Sequence, residues 1–412
     1  MDRPPASSAS GAERKAGLAQ GIVLVSVTWL AVVAAGVLAP VLPKMAGHFA
    51  GAPMLDLMIG FVATIPAFAV ALFSVPIGRI SDRIGARGIL VIGMSGYGFA
   101  GMLPLLLDSL PAIVVSRFVV GIFEAAVMTA STTLLSLYFS GMQRDRWLAV
   151  QVASTNVMGV VVVLVGGFAG EHSWRAPFFA YAIALVLLLP VLLVTHEPAR
   201  EAARRDMPAA SAGERGWRRP LAIRCALTFF VSVTVYTLIV QMSFLLAERG
   251  VTNPSTIGFG ISFGAGGIAL GSIANTAMLA LSARHRLLAA YLLMAAGFGI
   301  VAIDPAFAAM CAGALAAGLG AGCAVSTLLC VTVGEAPAAL KGRAAGSWTA
   351  AMFLGQFLNP PVFLALVRLG GSYGAAFLIY SAICGAVAIG AAAQAALASA
   401  RPRPRARISE AG

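Results

Sequence analysis

The chain has 412 residues, of which 59% are hydrophobic and only 11% charged, against roughly 45–50% apolar and about 25% charged in soluble domains. Uncharged runs such as 21–42 and 176–194 reach the roughly 20 residues that cross a hydrocarbon core of about 30 Å, so the chain is read as an all-α, polytopic membrane protein. The net charge of +12 would suit nucleic acid, but its distribution along the chain gives it a different meaning.

A polar tail, 1–19, precedes the first run, which is longer than the roughly 7–15 residues of a signal-peptide core. Apolar runs bounded by charge, Pro or Gly predict twelve spans: 20–42, 55–78, 88–107, 111–137, 147–170, 176–195, 221–246, 255–281, 287–303, 306–333, 344–367 and 372–398. With the N-terminus inside, about 23 of the 28 Lys and Arg residues fall in the tails and in the loops after even-numbered spans. This positive-inside bias predicts cytoplasmic termini and explains the basic charge. It leaves no nucleic-acid surface to account for.

The first span carries Trp29 near midplane depth, and "GRISDRIGARG", 78–88, follows the second. The fourth span holds Arg117, Gly121 and Glu124 at i, i+4 and i+7, hence on one helix face. Charges on that face must point into the bundle or a watery cavity, because exposing them to lipid is costly. At 1.5 Å rise per residue the two charges lie roughly 10 Å apart, so each needs a partner on another helix or, for the glutamate, a proton. Desolvation favours a neutral carboxyl, which suits a reversible proton carrier. The alternative is a structural role, with a protonated Glu124 hydrogen-bonded to a neighbour and Arg117 snorkelling outward.

Gln151 and Asn156 mark the fifth span, and the polar stretch 196–219 separates 20–195 from 220–398 as a solvated linker or surface helix. The seventh span is unusually polar, with Tyr236 and Gln241 among its candidates, and the eleventh adds Trp348, Gln356 and Asn359. Such a mixture of aromatics and hydrogen-bonding groups with one acid suits an amphiphilic substrate; interhelical hydrogen bonding is the plainer role for each group. In the eighth span Gly260, Gly264, Gly267 and Gly271 form a close-packing stripe. "NPPV", 359–362, predicts a break or kink in the eleventh. The five cysteines fall inside spans and read as packing residues, and 399–412 is a basic tail suited to anionic headgroups.

Within "GRISDRIGARG", Gly78, Asp82, Arg83, Gly85 and Arg87 resemble the G-x-L-A-D-R-x-G-R-[RK] signature of the major facilitator superfamily. The span count, the 6+6 layout and the central linker are similar to that family over essentially the whole chain. The resemblance implies two pseudo-symmetric six-helix halves with alternating access, and a gating loop in which Asp82 meets the N-terminus of the eleventh helix near Gly346. Arg83 and Arg87 would reach carboxylates or lipid phosphates, the glycines would permit a tight turn, and the eighth helix would pack its glycines on the fifth. "RFVVG", 117–121, resembles the R-x-x-x-G signature of proton-coupled members, which implies a role for Arg117 in proton transfer. In the fifth span "VVVLVGG", 161–167, keeps paired glycines but lacks the Gly-Pro usual in drug:proton antiporters. The expectation is a monomeric, proton-coupled exporter of small amphiphilic compounds in a bacterial inner membrane, with no cofactor and no enzymatic activity. The alternative is a symporter or facilitator importing a small metabolite such as an organic anion.

Overall fold

A computed structural model describes residues 17–197, 214–337 and 340–399. Among these residues twelve helices are long and apolar enough to cross a membrane. They are α1 Leu18–His48, α2 Leu55–Ser81, α3 Ala86–Leu105, α4 Leu110–Tyr138, α5 Gly141–His172, α6 Ala176–Val194, α7 Trp217–Glu248, α8 Pro254–Ala277, α9 Ala283–Ile303, α10 Phe307–Gly334, α11 Lys341–Gly370 and α12 Tyr373–Gly390. Each predicted span has its helix. Several helices run further than the apolar pattern, α5 by its polar first turn at 141–146, because backbone hydrogen bonding carries a helix past the edge of its hydrophobic run. The expected tails 1–19 and 399–412 fall almost wholly outside the described residues, as do 198–213 of the linker 196–219, whose end at 214–219 is already helical and leads into α7.

Two apolar cores divide the fold. One gathers α1 to α6 around residues such as Leu24, Leu90 and Leu134, and the other gathers α7 to α12 around Met294, Phe298 and Phe377. Tyr236 and Ile239 of α7 pack against both. The halves meet through α2 on α11, α5 on α8, and α1 on α7 and α8. The tight approaches lie toward the end of the bundle opposite the basic loops. A Cβ on Gly60 would sit 2.5 Å from Pro360, one on Gly170 would sit 2.9 Å from Pro254, and one on Gly258 would sit 3.0 Å from the Val163 carbonyl.

Three helices depart from regularity. In α1 the Leu38 amide turns to the Ala35 carbonyl at 3.3 Å, ahead of a tighter turn at Ala39–Val41. In α7 residues Thr237–Gln241 form a π turn. The third, α11, carries Pro360 and Pro361 without a break: the helix continues through them to Gly370. Proline removes donors from the helix, but inside a packed bundle neighbours hold the segment. Pro360 is buried against Gly60, and Asn359 is fully buried and hydrogen-bonded to α7.

The glycine stripe of α8 also faces a different neighbour from the one expected. Cβ atoms on Gly267 and Gly271 would lie 2.4 and 2.1 Å from the carbonyls of Leu315 and Leu319 on α10. Gly260 and Gly264 face Leu246 and Leu238 of α7 and also α10. Glycines 318 and 322 of α10 reciprocate, so the two backbones pack without intervening side chains. The helix α5 is met instead by Gly258, against Gly167.

Candidate functional site

The fourth helix approaches the second closely because Gly121 has no side chain: a Cβ there would lie 2.4 Å from the Pro66 carbonyl. Pro66, having no N–H, leaves the carbonyl of Val62 without its usual helical donor. Arg117 Nε donates to that oxygen at 3.3 Å. The break in α1 leaves the Ala34 carbonyl open in the same way, and it accepts from Arg117 Nη2 at 3.0 Å and from the Tyr181 hydroxyl at 2.8 Å. Arg117 Nη2 also donates to that hydroxyl at 2.5 Å, and its guanidinium carbon lies 4.6 Å from the Tyr181 ring centre. Tyr97 completes the group, donating to the Leu30 carbonyl at 2.7 Å with its ring 5.3 Å from that of Tyr181.

Arg117 is therefore fully buried and does not snorkel outward. Two carbonyls freed from their helices replace the water that a snorkelling guanidinium would seek. Glu124 is 4% exposed and forms no ion pair with Arg117 among the described residues. Among the described residues its Oε2 has no hydrogen-bond partner, and neither has Arg117 Nη1. The two groups nonetheless interact electrostatically, and Tyr97, Tyr181 and Tyr236 lie within range of the carboxyl. The cluster thus holds an acid and a cation on one helix face, each with a hydrogen-bonding position to spare. Leaving such positions empty away from water is costly.

The other expected cavity residues divide into two groups. Gln241 and Asn359 are engaged with each other: they are 4% and 0% exposed, and Gln241 Nε2 donates to Asn359 Oδ1 at 2.7 Å. Asn359 Nδ2 donates to the Val233 carbonyl and to Thr237 Oγ1, both at 3.0 Å, so the pair buttresses the π turn of α7. Trp29, Gln151, Asn156, Tyr236, Trp348 and Gln356 remain half-buried. The Trp29 indole donates to Ser154 Oγ at 3.1 Å, Gln151 reaches Thr132 at 3.4 Å, and the buried Trp348 Nε1 has no partner. Tyr97 and Tyr181 escaped the sequence reading. Their only signal there is a hydroxyl within an apolar run, which does not say what it meets.

The 78–88 loop is fastened within its own half. Gly85 has φ +101°, a conformation that favours glycine, and a Cβ there would come within 2.7 Å of the Glu197 carboxyl. That carboxylate accepts from the Ala86 and Arg87 amides, each at 2.9 Å, and caps α3. Arg87 donates to the Leu192 carbonyl at 3.0 Å. Tyr138 stacks on His196 at 4.9 Å and bonds its backbone, which steadies the same segment. Gly78 makes no turn; it lies inside the helix Leu55–Ile84, near Thr129 of α4. Arg83 is exposed. The expected contact of Asp82 concerns a side chain outside the described residues, and beside Gly346 the space is open to 4 Å.

The profile of the Major Facilitator Superfamily matches residues 24–283. The chain belongs to that superfamily. Its members are membrane transporters rather than enzymes. Among curated relatives, the class E tetracycline resistance protein of Escherichia coli is 29% identical over 163 residues, 39% of this chain and 40% of that protein. The puromycin resistance protein pur8 of Streptomyces alboniger is 27% identical over 195 residues, 43% of this chain and 37% of that protein. The chain thus spans about two-fifths of the length of the curated relatives it matches. Over the whole fold it resembles a bacterial homologue of the human lysosomal transporter Spinster in an inward-facing conformation. The TM-score is 0.72 at 16% identity, with 93% of this chain and 98% of the other covered.

Proposed function

We propose that this superfamily member is a proton-coupled exporter of small amphiphilic compounds, working by alternating access as a monomer. The basic end and both termini lie in the cytoplasm of a bacterial cell, and the proton gradient across the inner membrane supplies the energy. The observation that carries this reading is Glu124, buried in mid-span with an unpartnered carboxyl oxygen beside Arg117. Such a group binds and releases a proton as access alternates, while the guanidinium stabilises the ionised state. With the tight seam at the opposite end, substrate enters from the basic end, between half-buried Trp29, Asn156, Tyr236, Trp348 and Gln356. The resistance proteins among the relatives support export.

Import of an organic anion is the second reading, favoured by the missing Gly-Pro in α5. One experiment separates them: purified protein in proteoliposomes, an imposed pH gradient, and a panel of lipophilic cations and organic acids, with wild type against Glu124→Gln. Export coupled to protons predicts substrate-driven proton flux that the variant loses. Equal transport by both proteins without proton movement would remove the coupling role of Glu124. Proton flux running with the substrate would select the importer.

A further inference from the structure

The seam between α2 and α11 contains an arrangement for which proton coupling has no use. Phe61 and Phe68 stand seven residues apart on α2, a rise of about 10.5 Å. Between them lies the ring of Phe357, from the other half. Its centre is 5.2 Å from that of Phe61 with planes 13° apart, and 4.6 Å from that of Phe68 with planes 28° apart. Phe118 of α4 supports Phe68 at 6.3 Å. Pro360, one turn further along α11, rests on Gly60 and sets how closely the two helices approach. Two walls on one half therefore hold a single filler from the other.

We propose that the space between Phe61 and Phe68 is a binding slot for planar aromatic rings, with Phe357 as its occupant while the seam is closed. The walls are ring faces, which favour stacked aromatic partners. Their faces carry negative potential, so a cationic ring binds better than an anionic one. The slot's place in transport rests on the exporter reading. When the halves part at this end, α11 withdraws Phe357 and the slot lies open to a substrate ring. When they close again, Phe357 returns and displaces that ring. The slot is thus an exit site, distinct from the polar groups around Glu124.

The binding test does not depend on transport. Full-length Phe357→Ala in nanodiscs is titrated with ethidium, a planar aromatic cation, and with tetrapropylammonium, a cation without rings. Emptying the slot is expected to tighten ethidium binding at least 10-fold over wild type, as an engineered apolar cavity takes up an apolar ligand. Adding Phe61→Leu and Phe68→Leu abolishes the gain, and tetrapropylammonium binding stays constant throughout. No gain in Phe357→Ala, or a gain that survives the loss of both walls, would overturn the slot. Should Phe357→Ala fail to fold, the Phe61→Leu/Phe68→Leu protein decides in proteoliposomes. It is expected to lose at least 10-fold in ethidium export while keeping tetrapropylammonium export, and an equal effect on both would overturn the proposal. Wild type exporting neither compound would count against the exporter reading. The slot is then decided by binding in nanodiscs, where Phe61→Leu/Phe68→Leu is expected to bind ethidium at least 10-fold more weakly than wild type with tetrapropylammonium unchanged, and an equal effect on both would overturn it.

Discussion

The two halves meet the same backbone problem with different chemistry. Each opens with a helix that loses regular geometry, α1 ahead of Ala39–Val41 and α7 at Thr237–Gln241. In a membrane the carbonyls involved need partners from inside the protein. In the first half Arg117 and Tyr181 supply them, and in the second Asn359 and Thr237 do. The amide pair at the α7 π turn is closed on itself, Gln241 to Asn359, whereas the cluster at the α1 break keeps a guanidinium nitrogen and a carboxyl oxygen without partners among the described residues. Polarity that maintains a fold is therefore distinguishable from polarity with capacity left for function. Open hydrogen-bonding positions on titratable groups make the difference.

The comparison is broken most sharply at Arg117. Arg117→Leu leaves the Val62 carbonyl without its donor, a buried acceptor worth about 1–3 kcal/mol when unsatisfied, and takes charged hydrogen bonds from the Ala34 carbonyl, which keeps Tyr181, and from the Tyr181 hydroxyl. The expected loss of stability is about 3–5 kcal/mol, measured by thermal unfolding in nanodiscs. Arg117→Lys restores less than half of it, because one ammonium on a flexible stem cannot bridge carbonyls on two helices as the planar fork does. A leucine variant as stable as wild type would show that Tyr181 alone suffices for the Ala34 carbonyl and that the Val62 carbonyl needs no donor, and the capping role of Arg117 would fall.

A smaller effect is expected at Asn359. Asn359→Leu removes the donor to Val233 and Thr237 and leaves Gln241 unpaired, for a loss of about 1–3 kcal/mol. In a double-mutant cycle with Gln241→Leu the coupling is about 0.5–2 kcal/mol, because the second substitution removes a group the first has already orphaned. Under the proposed proton coupling, transport that survives keeps its stoichiometry, since nothing in this pair titrates. A change in stoichiometry would place coupling in the second half as well and erase the distinction.

The twelve spans were legible because an apolar run of sufficient length is a local property of the chain, and so was the face shared by Arg117 and Glu124. What those residues touch was not. The partners of Arg117 lie 55 residues away at Val62 and 83 away at Ala34, and Tyr181 meets Ala34 across 147 residues. Periodicity identified the glycine stripe of α8 as a close-packing face, but it cannot name the neighbour, and α10 rather than α5 received it. Gln241 and Asn359 read as cavity residues because polarity in a span looks alike whether it faces water or supports a π turn. The prolines of α11 read as a break or kink because the local rule counts lost donors, and the packing on Gly60 that accompanies the unbroken helix is not visible to it.

The smallest prediction concerns an asymmetry at the basic end. In the first half the N-terminus of α3 is capped by the Glu197 carboxylate, which arrives from beyond α6 and bonds two amides. At the corresponding start of α9 the N-cap Ser282 does not cap the backbone and bonds His285 instead, and no other side chain among the described residues takes its place. A capping acceptor is worth about 1 kcal/mol, and a carboxylate gains further from the helix dipole. Glu197→Ala should therefore cost about 1 kcal/mol and raise amide exchange in the first turn of α3 roughly 5-fold. Exchange at the start of α9 stays unchanged, and Glu197→Gln, which keeps one acceptor oxygen, falls between. Unaltered exchange at Ala86 and Arg87 in the alanine variant would mean that the loop is held by Arg87 on Leu192 and Tyr138 on His196, and that Glu197 merely rests where the Gly85 turn leaves room.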